Sequence, residues 1–286
     1  MSGPALPPLR AGRAAPEDLV ARRAGIAAVT PPPAVPTGIS LESSEIGGVA
    51  CVVCSAVAPV VDMVYFHGGG YRLGTASGWA SLAGELAARA SARVVVVDYR
   101  LAPEDPFPAA LHDAVAVARA LLEESERPLL VGGDSAGGGL AMALVLALRD
   151  AATRAPAGVI LLSPWVDLTV TNPSYASNAT RDEMFSFESA SEAAELYLQD
   201  HDARDPLVSP ALADLHGLPP AIVLVSAHEV LLDDACALAH AFGTAGIAVE
   251  LHVVPDMPHV WPFMQPAHEA SQRAFEAIAR FAKRVG

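Results

Sequence analysis

"VGGDSAGGGLAMALVLALRD" (residues 131–150) sets a serine between two groups of glycines at the entrance to an apolar stretch. Its reading decides the fold, because such glycines can serve a phosphate cradle, a tight turn or a nucleophile elbow. A P-loop needs GxxxxGK[ST], and no lysine stands here. A dinucleotide loop needs GxGxxG, and no frame starting at Gly132, Gly133 or Gly137 supplies all three glycines. The remaining functional reading is Gly133-x-Ser135-x-Gly137, an elbow that requires a strand before it, a helix after it and small residues around the serine. "PLLVGG" (128–133) predicts the strand and "AGGGLAMALVLALRD" (136–150) the helix. A bare GxSxG also arises by chance in a glycine-rich chain, so the flanking elements carry the assignment.

Outward from this stretch, β-branched runs alternate with alanine-rich ones. Strands are expected at 49–57, 60–66, 93–99, 128–133, 157–164, 221–227 and 249–254, and helices near 76–91, 107–124, 136–152, 231–245 and 266–284. The alternation predicts parallel βαβ units, and the nearly continuous apolar runs predict strands covered on both faces. Two segments break the pattern. Residues 1–40 are rich in Pro and Ala, with one short helix around 16–28, and read as an attached arm. Residues 167–205 hold polar loops and one amphipathic helix near 189–199, and read as an insertion over the sheet.

Composition narrows the function. The chain has 286 residues and a formal charge of −14, which repels a phosphate backbone, so no nucleic-acid partner is expected. Three cysteines argue against a disulfide framework. Cys51 and Cys54 form a CxxC inside a predicted strand, where positions three apart point to opposite faces, so neither a zinc nor a redox role is expected. Prolines near the N-terminus stand where a secretion signal needs an apolar core, and no run of about 18 apolar residues occurs. No membrane association and a cytoplasmic location are expected. No metal or organic cofactor is implied.

A serine hydroxyl needs a base, an orienting acid and oxyanion donors. "VYFHGGGYRLG" (64–74) ends a predicted strand with three glycines whose unshielded N–H groups, with that of Ala136, could converge on an oxyanion. The bland alternative is a flexible glycine loop.

Taken together, "HGGGY" (67–71), "DYRLAPEDPFPAALHDA" (98–114), "GGDSAGGGLA" (132–141), "SPWVDLT" (163–169) and "DPLVSP" (205–210) resemble the bacterial hormone-sensitive-lipase family (family IV) of α/β-hydrolases, in the family's order and spacing. The resemblance covers roughly residue 45 to the C-terminus. It implies carboxylic ester hydrolysis, the α/β-hydrolase fold with a mostly parallel eight-stranded sheet flanked by helices, and a small helical cap. The expected division is an arm at 1–40, a catalytic domain at 41–166 and 206–286, and a cap insertion at 167–205. The resemblance also implies that Gly68, Gly69 and Ala136 donate to the oxyanion.

In this fold the base follows the last strand. His259, in "VVPDMPHVWPF" (253–263), stands there; an exposed loop histidine is the bland alternative. His67 is expected to brace the glycine loop, while His112, His240 and His252 fall inside predicted elements. The acid departs from the family's usual aspartate string: "AHEVLLDDA" (227–235) puts Glu229 in the catalytic slot, two residues past the predicted strand end, and Asp233 in the second acidic position. Asp233 and Asp234 have an ordinary explanation in compensating a helix dipole.

Tyr71, Trp79 and Trp261 flank these groups and are expected to line the substrate pocket, with core packing as the alternative for each. Large side chains near the nucleophile favour small, short-acyl esters as substrates. A lactonase or amide hydrolase with the same triad is the nearest alternative, and a non-catalytic binding protein on the same fold is the alternative of another class. A homodimer through the exposed last strand is a further expectation.

Overall fold

In the computed structural model, which describes residues 5–286, the valine run at 94–97 is wholly buried, with successive side chains pointing to opposite sides of one sheet. Val95 and Val97 join one core layer, Val94 and Val96 the other. Each side of the sheet is therefore apolar and each must be covered.

The elements run α1 (Glu17–Val29), β1 (Ile39–Ile46), β2 (Val49–Ala56), β3 (Val61–Phe66), α2 (Ala80–Ala90), β4 (Ala92–Val97), α3 (Ala109–Glu124), β5 (Leu129–Asp134), α4 (Ala136–Asp150), β6 (Gly158–Leu162), α5 (Ser174–Ser177), α6 (Phe187–Leu198), β7 (Ala221–Ser226), α7 (Leu232–Thr244), β8 (Val249–Val254), α8 (Trp261–Met264) and α9 (Glu269–Val285). Eight strands form one sheet in the order β1-β2-β4-β3-β5-β6-β7-β8. β2 is antiparallel to both β1 and β4, and every later pairing is parallel. One face is covered by α3, α4 and α7, through Leu111, Leu140 and Leu238 among others; the other is covered by α2 and α9, through Leu86, Phe275 and Phe281. On α9, Phe275, Ile278 and Phe281 recur at helical spacing on the buried face. Full burial of such a side chain stabilises by about 1.5–3 kcal/mol.

β1 was not expected as a strand. Its sequence "ISLESSEI" is apolar only at the third position and the ends, and six of its eight residues are exposed. It holds its place through pairing with β2 at one edge, so no buried face imprints a period on it. It also begins inside the stretch expected to be arm. The opposite edge, β8, pairs only with β7 and leaves Leu251 and Val253 exposed. The two cysteines of β2 point to opposite sides, Cys51 into one core layer and Cys54 into the other.

α1 buries only Leu19, so hydrogen bonds tie the arm down. Arg23 donates to the carbonyls of Arg72 (2.9 Å) and Ala102 (2.8 Å) and pairs with Glu104. Arg10 donates to the Leu198 carbonyl at 3.2 Å, and Arg13 pairs with Glu195 at 3.3 Å, which links the arm to α6 of the insertion. Arg72, on the glycine loop, reaches the same helix through Ser189 and Glu192. Among the described residues no helix is long and apolar enough to cross a membrane.

Candidate active site

β5 runs into Ser135, which takes φ 52° and ψ −123°, and α4 begins at the next residue. A left-handed φ on a non-glycine residue stores strain, and here it lifts the side chain out of the strand-to-helix turn. The glycines make the turn possible: a Cβ on Gly133 would lie 2.2 Å from the Gly137 carbonyl oxygen, and one on Gly137 would lie 2.0 Å from that of Phe66. The elbow is tied to β6 by the Ser135 N–H donating to the Leu162 carbonyl at 2.9 Å.

His259 follows β8, before α8. Its Nδ1 lies 2.6 Å from Glu229 Oε2, in the turn after β7. The other carboxylate oxygen of Glu229 accepts from Ser163 Oγ and from the Ser226 N–H, both at 2.7 Å. Ser163 Oγ also accepts from the Val260 N–H at 3.1 Å, so one hydroxyl ties the acid's loop to the histidine's. Burial disfavours the charged imidazole, but the charge and hydrogen bond of Glu229 prevail, with Asp182 and Asp134 adding to them, and His259 is raised above the ordinary histidine value. Ser135 and His259 line the same cavity without a hydrogen bond between them, a looseness common before substrate binds.

Asp233 and Asp234 face elsewhere. Asp233 accepts from the Ser174 N–H at 2.7 Å, while Asp234 accepts from the N–H groups of Val166 and Asp167 and from Asn172 Nδ2. They hold the start of the insertion against α7.

In the glycine loop, Gly69 and Gly70 line the cavity. Gly68 lies behind them against Asp134, whose carboxyl its amide helps to hold down, and a Cβ there would stand 2.3 Å from Asp134 Oδ2. Ala136 is buried at the start of α4. His67 braces the loop: it is fully buried, its Nδ1 lies 2.8 Å from the Gly68 carbonyl, and its ring stacks on Tyr99. Burial lowers it to about 4, which keeps it neutral.

The cavity holds about 320 Å³ and is walled by Trp79, Phe185, Val260, Phe263, Met184 and Met264, with Arg22 and Arg72 also contributing. Of the three aromatic residues expected there, Trp79 lines it. Tyr71 and Trp261 do not: Tyr71 stacks on Tyr197 at 3.8 Å, and Trp261 has no exposed surface. The physical reason is local backbone geometry. Tyr71 itself (φ 60°) and Val260, just before Trp261 (φ 49°), take left-handed conformations that turn these side chains into the core beside the site.

Several residues escaped the sequence reading. Asp134 lies inside the quoted motif, yet its partners are distant in the chain: Trp79 Nε1 donates to it at 2.7 Å and Tyr65 Oη at 3.1 Å. Burial raises this carboxyl to about 7. Ser163 stood in a quoted motif with no role attached to it. Asp182 and Asn178 carried no signal: Asp182 accepts from the N–H groups of Met184, Phe185 and Val230, and Asn178 Nδ2 donates to the Glu229 carbonyl at 2.7 Å. Among the described residues, no group of three or more His, Cys, Asp or Glu is arranged to hold a metal ion.

Comparison with known proteins agrees with this architecture. Residues 63–263 match the family model described as alpha/beta hydrolase fold. An acetyl-hydrolase of Streptomyces hygroscopicus is 42% identical over 77% of this chain and 74% of its own length. An esterase of Acinetobacter venetianus is 34% identical over 85% of this chain and 82% of its own. The crystal structure of a hormone-sensitive lipase from a metagenome library superposes with a TM-score of 0.90 at 38% identity, covering 95% of this chain and 94% of that one. The chain belongs to the α/β-hydrolase family, in its hormone-sensitive-lipase-like branch of carboxylic ester hydrolases.

Proposed function

We propose that this carboxylic ester hydrolase cleaves small, short-acyl esters with Ser135 as nucleophile, His259 as base and Glu229 as the acid that orients it. The single observation that carries the reading is the buried hydrogen bond of His259 Nδ1 with Glu229 Oε2, with His259 in the same cavity wall as a serine on a strained elbow. His259 takes the proton of Ser135 Oγ as that oxygen attacks the ester carbonyl, and Glu229 stabilises the imidazolium that forms. The N–H groups of Gly69 and Ala136, with that of Gly70 beside them, receive the oxyanion; Gly68, the other donor expected from sequence, supports the loop through Asp134. Each such donor is worth about 3–4 kcal/mol of barrier. His259 then protonates the departing alcohol, and water, activated by the same ring, releases the acyl group.

A cavity of about 320 Å³ walled by large apolar side chains supports a small substrate. The name of the acetyl-hydrolase relative agrees with a short acyl half. The arm and the insertion, joined through Arg10, Arg13 and Arg72, act together as the cap over this cavity. A second copy pairing along β8 would make the homodimer, which light scattering tests.

A fluorophosphonate probe and a series of p-nitrophenyl esters, run beside simple lactones, test the reading. Native protein should be labelled, Ser135→Ala should not, and acetate and butyrate esters should turn over fastest. Absence of labelling in the native protein would sink the catalytic assignment, and faster turnover of lactones would replace the substrate class.

A further inference from the structure

Trp79 is shared by two cavities. It lines the 320 Å³ cavity that holds Ser135 and His259. It also borders a largely apolar groove of about 530 Å³ beneath the arm, walled by Ile26, Ala27, Pro32 and Leu101. Trp79 is the one residue common to both linings. Its indole is locked in place: Nε1 donates to Asp134 at 2.7 Å, and the ring stacks on Phe263 with centroids 4.5 Å apart and planes 9° from parallel. A side chain held by a buried carboxyl on its edge and an aromatic on its face is a fixed wall, because moving it breaks both contacts.

The departing alcohol must lie against His259, which protonates it, and the ring packed on His259 is that of Phe185, with centroids 6.0 Å apart. Trp79 is instead bound to Asp134, next to the serine that keeps the acyl group.

We propose that Trp79 sets the acyl-chain limit of this enzyme, and that the groove behind it is space a longer acyl chain enters once the indole is removed. The inference rests on the esterase reading above. It assigns Trp79 a specificity role beyond lining the pocket, and gives the arm a second one: α1 supplies Ile26 and Ala27, the far side of that latent space.

The test compares kcat/KM for p-nitrophenyl acetate, butyrate, octanoate and dodecanoate. Trp79→Ala should raise the octanoate-to-acetate ratio about tenfold or more, the scale of discrimination a hydrophobic pocket exerts per methylene. Trp79→Leu serves the same purpose if the alanine variant does not fold. Trp79→Phe keeps a wall but loses the indole N–H, and should keep the wild-type ranking. Adding Ala27→Trp to Trp79→Ala should refill the groove and cancel the gain. An unchanged ranking in folded Trp79→Ala or Trp79→Leu overturns the proposal. So does an equal gain in Trp79→Phe, which would trace the effect to the lost Asp134 bond, or a gain seen only when alkyl acetates are lengthened on the alcohol side. Wild-type protein inert to every ester would sink the esterase reading instead; relative labelling rates with short- and long-alkyl fluorophosphonates would then read the same wall.

Discussion

Glu229 and His259 meet 2.6 Å apart in the closed interior of the protein, with the carboxylate 1% exposed and its second oxygen taken by Ser163 and Ser226. The carboxylate has no freedom left to point elsewhere, so the imidazole it binds has one orientation.

Glu229→Ala should reduce kcat by about 10⁴, the scale seen when an orienting acid is lost from a triad. Asp233→Ala breaks a 2.7 Å bond to the Ser174 N–H, remote from His259, and should leave kcat within a few-fold while costing roughly 1 kcal/mol of stability. Steady-state kinetics beside thermal unfolding checks both, and the reverse ranking would move the triad acid to Asp233.

In the proposed mechanism His259 must be neutral to accept the serine proton, and Glu229 raises its pKa above the ordinary histidine value. kcat/KM should therefore fall as pH drops through that raised value. Glu229→Gln removes the negative partner, so the acid limb should shift to lower pH even as the maximum rate declines. A limb that stays put would show that another group controls it.

Burial lifts Asp134 to about 7, while an unfolded aspartate titrates near about 3.9. A carboxyl raised on folding stabilises the native state at low pH, and that stability is lost as pH rises through the folded value. Asp134→Asn has no such loss, so its Tm relative to wild type should increase between pH 5 and pH 8.5. A difference independent of pH would mean that Asp134 is ionised throughout.

Glycines separate cleanly by what surrounds them. Gly137→Ala would drive a Cβ to 2.0 Å from the Phe66 carbonyl oxygen and should abolish folding or the elbow. A Cβ on Gly243, inside α7, meets nothing within 4 Å, so Gly243→Ala should stabilise by about 0.5–1 kcal/mol and raise Tm by roughly 2 °C. Differential scanning fluorimetry distinguishes the two outcomes.

Elements with a full buried face were legible in the amino-acid order alone, because such a face repeats along the chain with the period of its element. Hence the valines of β4, the glycines around Ser135 and the apolar stripe of α9 could be read directly, and the spacing of the motifs carried Ser135 and placed His259 after the last strand. β1 could not be read, since a polar edge strand is specified by its partner and not by its own pattern. Of the three aromatic residues expected in the pocket wall, Tyr71, Trp79 and Trp261, Trp79 lines it. Tyr71 and Trp261 stand in the right stretches, but single left-handed residues there turn the side chains into the core, and sequence does not show such turns. The structure likewise decided what no local pattern encodes: that Glu229 reaches the His259 ring while Asp233 holds the insertion, that Ser163 joins two loops, and that Asp134 pins an indole 55 residues away. Local order settles which elements form, because their hydrogen bonds and apolar periods lie within a few residues; distances across the molecule exist only once the sheet has brought its strand ends together.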